Sequence, residues 1–476
     1  MYRWLNSALD YIPQWIEFQM RQSEQPGCVI AIAYKGQIVL EQAFGHADLS
    51  SGEPLTPRHR FRVASHSKSF TAAGIMKLRE QGKLRLDDAV GRHVDGLHPA
   101  IAKATIAQLL SHSAGVVRDG ADSGQWQDRR PFLDVAELRT ALAEPPVIGG
   151  NTRFKYSNHG FGLIGLVIEA VTGERYTDWI LRTIVDRAGL AETASDVPVA
   201  DDVPVASGHS GRLPLGRRVV IPGNNPTNAL AAATGFVSTA GDLAKFFAAL
   251  DPAARRTPLT VESRHEMIRR QWRDPHSSIE RHYGLGLWSG TTFECDWFGH
   301  GGSFQGFITR TVVFPGYGLS VSILTNARDG LANQWVDGVC QILAIFATHG
   351  APTPRVRDWT GRWWSLWGAV DLVPMGRRVL VANLDLPAPF TDASELSVTG
   401  EDRGRIELAN GTGSHGEGVR RVRGLDGKVA EVWLGGGRLL LESEVVTEIV
   451  DRYATIRSPE IEQSGPSSPS HLRGYL

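Results

Sequence analysis

The chain has 476 residues, 42% of them hydrophobic, and its 50 basic residues balance 51 acidic ones to a formal net charge of -1. That length exceeds one ordinary domain and can bury a large core. The charge balance excludes a global field that would gather nucleic acid or an anionic membrane surface, which leaves a small molecule or short peptide as the expected partner.

Cys28, Cys295 and Cys340 are an odd number, far apart, without a Cys-x-x-Cys pair, so reduced structural thiols are expected. Polar residues interrupt the first ten positions where a signal peptide needs an apolar run, and no segment offers the roughly 20 apolar residues of a membrane span. A cytoplasmic protein follows as the expectation; the sequence carries no signal for oligomeric state, and a homodimer is compatible with it.

Residues 4–20 place Leu5, Leu9, Ile12, Trp15, Ile16 and Met20 close to a helical period. Residues 28–34 and 37–44 are β-branched runs around Lys35-Gly36 and predict a hairpin. A helix is predicted from Ser65 to about Gln81, ending at Gly82. Further helices are predicted over 106–110, 158–172 and 239–250. Residues 196–228, rich in Pro, Gly, Asp and Asn, predict a long surface loop beside a cleft. Strands at 297–298, 307–314 and 319–325 and a helix at 331–347 then complete a unit whose sheet is assembled from both ends of the chain.

Beyond the stiff Ala351-Pro352-Thr353-Pro354 segment the texture becomes short β-rich runs separated by glycines, which predicts a small β-barrel or sandwich. Residues 459–476 read as a mobile tail. The domains expected are therefore 1–350, 351–456 and a tail at 457–476.

The chemistry begins with Arg62-Val-Ala-Ser-His-Ser-Lys-Ser-Phe70. Ser65 and Lys68 stand three residues apart on one helical face, so an amine can reach a hydroxyl one turn away. Alone, this pair is weak evidence, because helices often carry both residues on a solvated face. Two further groups could complete a site. Tyr156-Ser157-Asn158 precedes a strongly patterned helix, although a capping asparagine beside a half-buried tyrosine would look the same. Gly299-His300-Gly301-Gly302-Ser303 precedes a strand; its glycines could let a substrate backbone lie flush, or simply mark a sheet edge.

In this order and separation the three groups resemble the penicillin-recognising serine hydrolases, in the branch of class C β-lactamases, D-alanyl-D-alanine carboxypeptidases, D-aminopeptidases and esterases. Residues 81–90, 109–115, 234–243 and 283–288 are similar to family blocks, and the resemblance spans roughly residues 20–350. It implies an α+β fold: a β-lactamase/transpeptidase-like domain of antiparallel sheet plus helical layer, followed by a small antiparallel, lipocalin-like β-barrel. Asp358-Trp359-Thr360-Gly361-Arg362-Trp363 and His415-Gly416-Glu417-Gly418 are similar to such a barrel; D-aminopeptidases of this kind carry two, and the remaining length suffices for one.

By the same resemblance Ser65 would be the acylated nucleophile, and Lys68 would hold its hydroxyl and help remove its proton. Tyr156 would be general base and acid, and Asn158 would bind the substrate amide. His300 would replace the lysine of many relatives, with Gly301, Gly302 and Ser303 along the substrate and the Ser303 and Ser65 N–H groups forming an oxyanion hole. A tyrosine acts as a base at neutral pH only if a cation such as Lys68 favours its phenolate, by about 4 kcal/mol. His300, partly charged at neutral pH, makes strong β-lactamase activity less expected than D-aminopeptidase or esterase chemistry.

The function expected is cleavage of an amide or ester of a small peptide, amino-acid amide or ester through a Ser65 acyl-enzyme, with no metal and no cofactor. Alternatives are an esterase or acyltransferase with weak β-lactam hydrolysis, and a penicillin-binding sensor that is acylated but never released. Gly411-Thr412-Gly413-Ser414-His415-Gly416 matches a dinucleotide fingerprint but lacks a following helix. His93 and His98 lack the companions of a zinc site.

Overall fold

The apolar run 28–33 forms β1 (Gly27–Tyr34), buried along nearly its whole length. Lys35 and Gly36, at φ 50° and 80°, return the chain into β2 (Gln37–Asp48), the backbone conformation that a two-residue hairpin demands. The computed structural model describes residues 2–212, 216–275, 277–409 and 414–453. Within them the chain divides into two compact units, with the division between Thr348 and His349.

The first unit is organised on a nine-stranded antiparallel sheet. Its remaining strands are β3 (Glu53–Pro54), β4 (Trp272–Arg273), β5 (Arg281–Tyr283), β6 (Trp288–Thr292), β7 (Cys295–Phe304), β8 (Phe307–Phe314) and β9 (Leu319–Thr325). They lie in the order β3-β2-β1-β9-β8-β7-β6-β5-β4. The join between the two ends of the chain is the β1–β9 pair, with Cys28 opposite Thr325 and Tyr34 opposite Leu319. This is the sheet built from both termini that the strand pattern predicted.

Both β1 and β9 are buried on each face, so helices must cover both sides. On one side α4 (Ala240–Ala249) packs against β1, β8 and β9. The terminal helices α1 (Arg3–Gln22) and α5 (Ala332–His349) meet through Trp335 Nε1, which donates to Gln19 Oε1 at 3.3 Å, and through the rings of Tyr11 and Phe346. Between these come α2 (Ser67–Glu80) and α3 (Asn158–Thr172), each stopped by a glycine at positive φ, Gly82 and Gly173.

Phe70 of α2 is fully buried between Phe236 and Phe246, with ring centroids at 4.3 and 3.8 Å and nearly parallel planes. Removing that ring leaves a cavity that rigid neighbours fill poorly. Phe70→Ala is expected to lower unfolding stability by about 3–5 kcal/mol in urea titrations, among the largest losses for a truncation outside the site.

The described part of the stretch 196–228 is mostly irregular and exposed or half-buried, as expected of a surface loop, but it is pinned at several points. Gly208–His209 pairs with Val220–Ile221, and Ala206, His209 and Thr227 are buried. His209 Nδ1 donates to the Asn326 carbonyl at 2.8 Å, and the Asn326 amide donates to the carbonyls of His46, Ala47 and Ser207. Long-range hydrogen bonds therefore hold a segment whose composition carries no period.

The second unit is a closed antiparallel barrel of eight strands. These are β10 (Gly361–Ser365), β11 (Gly368–Met375), β12 (Arg378–Asn383), β13 (Ser394–Gly400), β14 (Arg403–Leu408), β15 (Gly418–Arg423), β16 (Val429–Leu434) and β17 (Gly437–Leu440). The ring closes where Trp364 of β10 pairs with Leu440 of β17. Val356, Trp359, Trp363, Leu372, Val379, Leu396 and Val432 are part of its core. Closure removes the exposed strand edges of an open sandwich. A helix, α6 (Glu442–Tyr453), follows the barrel and was not anticipated from the sequence. Residues 410–413 of the glycine-rich decoy and the predicted tail lie outside the described residues.

Candidate active site

The strand Phe61–Arg62, paired with Val237–Ser238, delivers the chain to a single 3₁₀ turn, Ala64–His66, that runs directly into α2. Ala64 sits at φ 47°, a left-handed conformation that costs a non-glycine residue about 1–3 kcal/mol and must be held by its surroundings. Ser67 supplies part of that hold: its Oγ donates to the Ala64 carbonyl (2.6 Å) and accepts from the Phe236 N–H (3.0 Å). His66 supplies more, with Nδ1 donating to the Val63 carbonyl (3.0 Å) and Nε2 accepting from Thr311 Oγ1 (3.0 Å). Burial pushes the His66 imidazole down to about 4, so it is neutral. Ser65 is left half-buried among fully buried neighbours, on the turn just before the positive end of a helix.

Lys68, one turn on, is completely buried. Its Nζ donates to Asn158 Oδ1 (2.7 Å) and to the Ala233 carbonyl (2.8 Å), and lies 3.1 Å from Ser65 Oγ. The first two partners can only accept, so they take two N–H groups, and the third position on nitrogen faces the serine. Burial holds the Lys68 amine well below the usual lysine range, with Asp119 opposing the change and Arg118 adding to it.

Tyr156 lies beside this pair, with Lys68 Nζ 4.8 Å from its ring centroid and its side chain on the same cleft as Ser65. Burial raises the Tyr156 phenol above its ordinary value, against the smaller effect of Ser65. Burial thus works against the phenolate that a Lys68 cation was expected to favour. Desolvation penalises both charged forms, the Lys68 ammonium and the Tyr156 phenolate.

Asn158 begins α3, and its amide spans two partners: Oδ1 accepts from Lys68 and Nδ2 donates to Asp119 Oδ1 (2.6 Å). Asp119 also accepts from Trp126 Nε1 (3.0 Å) and pairs with Arg118. Asp119 had no signal in the sequence, since it is a lone loop carboxylate outside any motif.

The third group comes from β7. β6 pairs with it from Cys295 to Gly299, so from His300 onward that edge borders the cleft. Gly302 fits because a Cβ there would sit 2.2 Å from the Val63 carbonyl oxygen, on the turn that carries Ser65. His300 is buried; its Nε2 lies 3.0 Å from the Tyr283 hydroxyl and its Nδ1 2.7 Å from the Gly301 carbonyl. Burial holds it well below the usual histidine range. The partly charged histidine expected from the sequence is therefore a neutral one.

Ser65, Tyr156, Asn158, His300, Gly301, Gly302 and Ser303 all line one cleft of about 870 Å³, with Lys68 beneath its floor. The eight residues singled out in the sequence are thus brought together. Arg118, Trp126, Trp288 and Phe304 add walls that the sequence did not indicate. Among the described residues no cluster of three or more His, Cys, Asp or Glu could hold a metal ion, and no helix is long and apolar enough to cross a membrane. All three cysteines are free.

The sequence profile of the Beta-lactamase family matches residues 12–335. The chain belongs to that family. Its kind is accordingly that of a serine hydrolase. Protein flp of Staphylococcus aureus (strain NCTC 8325 / PS 47) is 32% identical over 189 residues, 37% of this chain. That match covers 36% of flp, so the chain spans about a third of this curated relative's length. Among solved structures, the octameric penicillin-binding protein homologue from Pyrococcus abyssi is 25% identical with a TM-score of 0.63, over 90% of this chain and 99% of that one. The structure of SurE with D-Leu has the same fold at 24% identity and a TM-score of 0.58, over 91% of this chain and 99% of that one.

Proposed function

We propose that this Beta-lactamase family member cleaves an amide or ester bond of a short peptide, amino-acid amide or small ester through an acyl-enzyme on Ser65. Substrates with D-configured residues are included, in line with the D-Leu held by SurE. The observation that carries the reading is the Lys68 Nζ position, fixed by two carbonyl acceptors and aimed at Ser65 Oγ.

As a neutral amine, Lys68 accepts the Ser65 proton while Oγ attacks the substrate carbonyl. The tetrahedral oxyanion forms against the N–H groups of Ser65 and Ser303. The Tyr156 phenol gives its proton to the departing amine or alkoxide as the C–N or C–O bond breaks, and the Lys68 ammonium reprotonates it. Water then attacks the acyl group by the reverse proton path, which restores Ser65. Asn158 holds Lys68 in line. A neutral His300 puts no fixed cation beside the scissile bond, so a carboxylate at that place, as on a β-lactam, gains little there.

A fluorophosphonate probe followed by intact-mass measurement is expected to add one adduct to wild type and none to Ser65→Ala. Equal labelling of both proteins would overturn the nucleophile. Hydrolysis of paired D and L amino-acid amides by wild type, with esters alongside, reads the substrate range; turnover of none of them would overturn the hydrolytic reading.

A further inference from the structure

His112 lies outside the three motif groups, yet it holds the segment 155–157 around Tyr156 at three points. Its carbonyl accepts the Lys155 N–H at 2.7 Å, and its Nδ1 accepts the Ser157 N–H at 3.1 Å, so the residues on both sides of Tyr156 hang on it. Its ring lies against the Tyr156 ring, with centroids 4.0 Å apart and planes 34° from parallel. A second ring contact is Tyr283, at 4.7 Å, whose hydroxyl meets His300 Nε2. One imidazole therefore joins the tyrosine group to the β7 group.

This position is held at a cost. His112 has φ 58°, a strained conformation for a non-glycine residue, and is buried. Since Nδ1 accepts, Nε2 carries the hydrogen, and that N–H has no hydrogen-bond partner. A phenylalanine would pack without the unpaired donor, and an asparagine would adopt the backbone angle more easily. Histidine alone supplies both the flat face and the acceptor for the Ser157 N–H.

We propose that His112 is a positioning residue that clamps Tyr156, setting its ring angle and so the reach of its hydroxyl to Ser65 and to the leaving group. The inference rests on the acyl-enzyme reading above. Burial keeps the imidazole uncharged, well below the usual histidine range, so its part is geometric.

The test uses His112→Phe, which keeps a ring and loses the acceptor, and His112→Asn, which keeps an acceptor and loses the ring. The rate of Ser65 acylation by a chromogenic ester at saturation is expected to fall about 10- to 10²-fold in the Phe variant, as expected for a misplacement of about 1 Å, with KM unchanged. Partial rescue is expected in the Asn variant. Independently of turnover, 3-fluorotyrosine at position 156 reports ring order by its ¹⁹F line, which is expected to broaden or shift in both variants. Wild-type acylation rates in both variants, or an unchanged ¹⁹F line, would overturn the proposal. Failure of wild type itself to acylate would instead count against the hydrolytic reading, while the ¹⁹F line would still decide whether His112 orders Tyr156.

Discussion

A Lys68→Met enzyme is expected to acylate Ser65 about 10²- to 10⁴-fold more slowly than wild type, the loss typical for removal of a positioned base. Methionine fills most of the lysine volume, so packing around Ser65 survives while the lone pair does not. The pH profile separates this from a structural effect. Because Lys68 must be neutral to accept a proton, and burial lowers its folded-state pKa, wild-type kcat/KM should rise as pH climbs through that lowered value and then level off. The methionine variant should lack this limb.

Stability carries a second signature of the same group. Between the lowered folded value and the usual ~10.4 of an unfolded lysine, the unfolded chain holds the proton and the native chain does not. Native stability therefore gains with rising pH across that window, and the gain vanishes in Lys68→Met. Urea titrations at a series of pH values read the difference. A constant gap between the two proteins across that window would mean that Lys68 is protonated in the native state and cannot be the base.

Most of the first unit was legible because its elements are long and strongly periodic. β1, α3 and α5 follow runs of apolar residues whose spacing leaves little choice, and the glycines at 82 and 173 mark helix ends for a local backbone reason. The candidate site was legible because Ser65, Tyr156 and His300 each sit in a short local pattern. What stayed hidden depends on distant parts of the chain. Asp119 and His112 act through partners about 40 residues away, and the 208–221 ladder is held by Asn326 more than 100 positions on. Charge states were hidden for the same reason. Whether Lys68 and His300 carry protons depends on burial, which no window of sequence reports.

Gly302→Ala is expected to have the second large effect, out of proportion to one methyl group. The new Cβ would meet the Val63 carbonyl oxygen at 2.2 Å and Thr309 Oγ1 at 2.7 Å. The first of these is backbone and cannot swing aside, and the same carbonyl accepts from the His66 ring and the His66 N–H. Either β7 moves off the turn that carries Ser65, or the turn rotates. Overpacking of this kind costs about 1–3 kcal/mol of stability. The rate suffers more, because the Ser65 and Ser303 N–H groups must converge on one oxygen, and a displacement of about 1 Å between their carriers costs about 10²-fold. Gly316→Ala is the control: nothing lies within 4 Å of its added Cβ, so stability and acylation should stay near wild type. If Gly302→Ala acylated as fast as Gly316→Ala, the close approach of β7 to the Ser65 turn would have no part in catalysis.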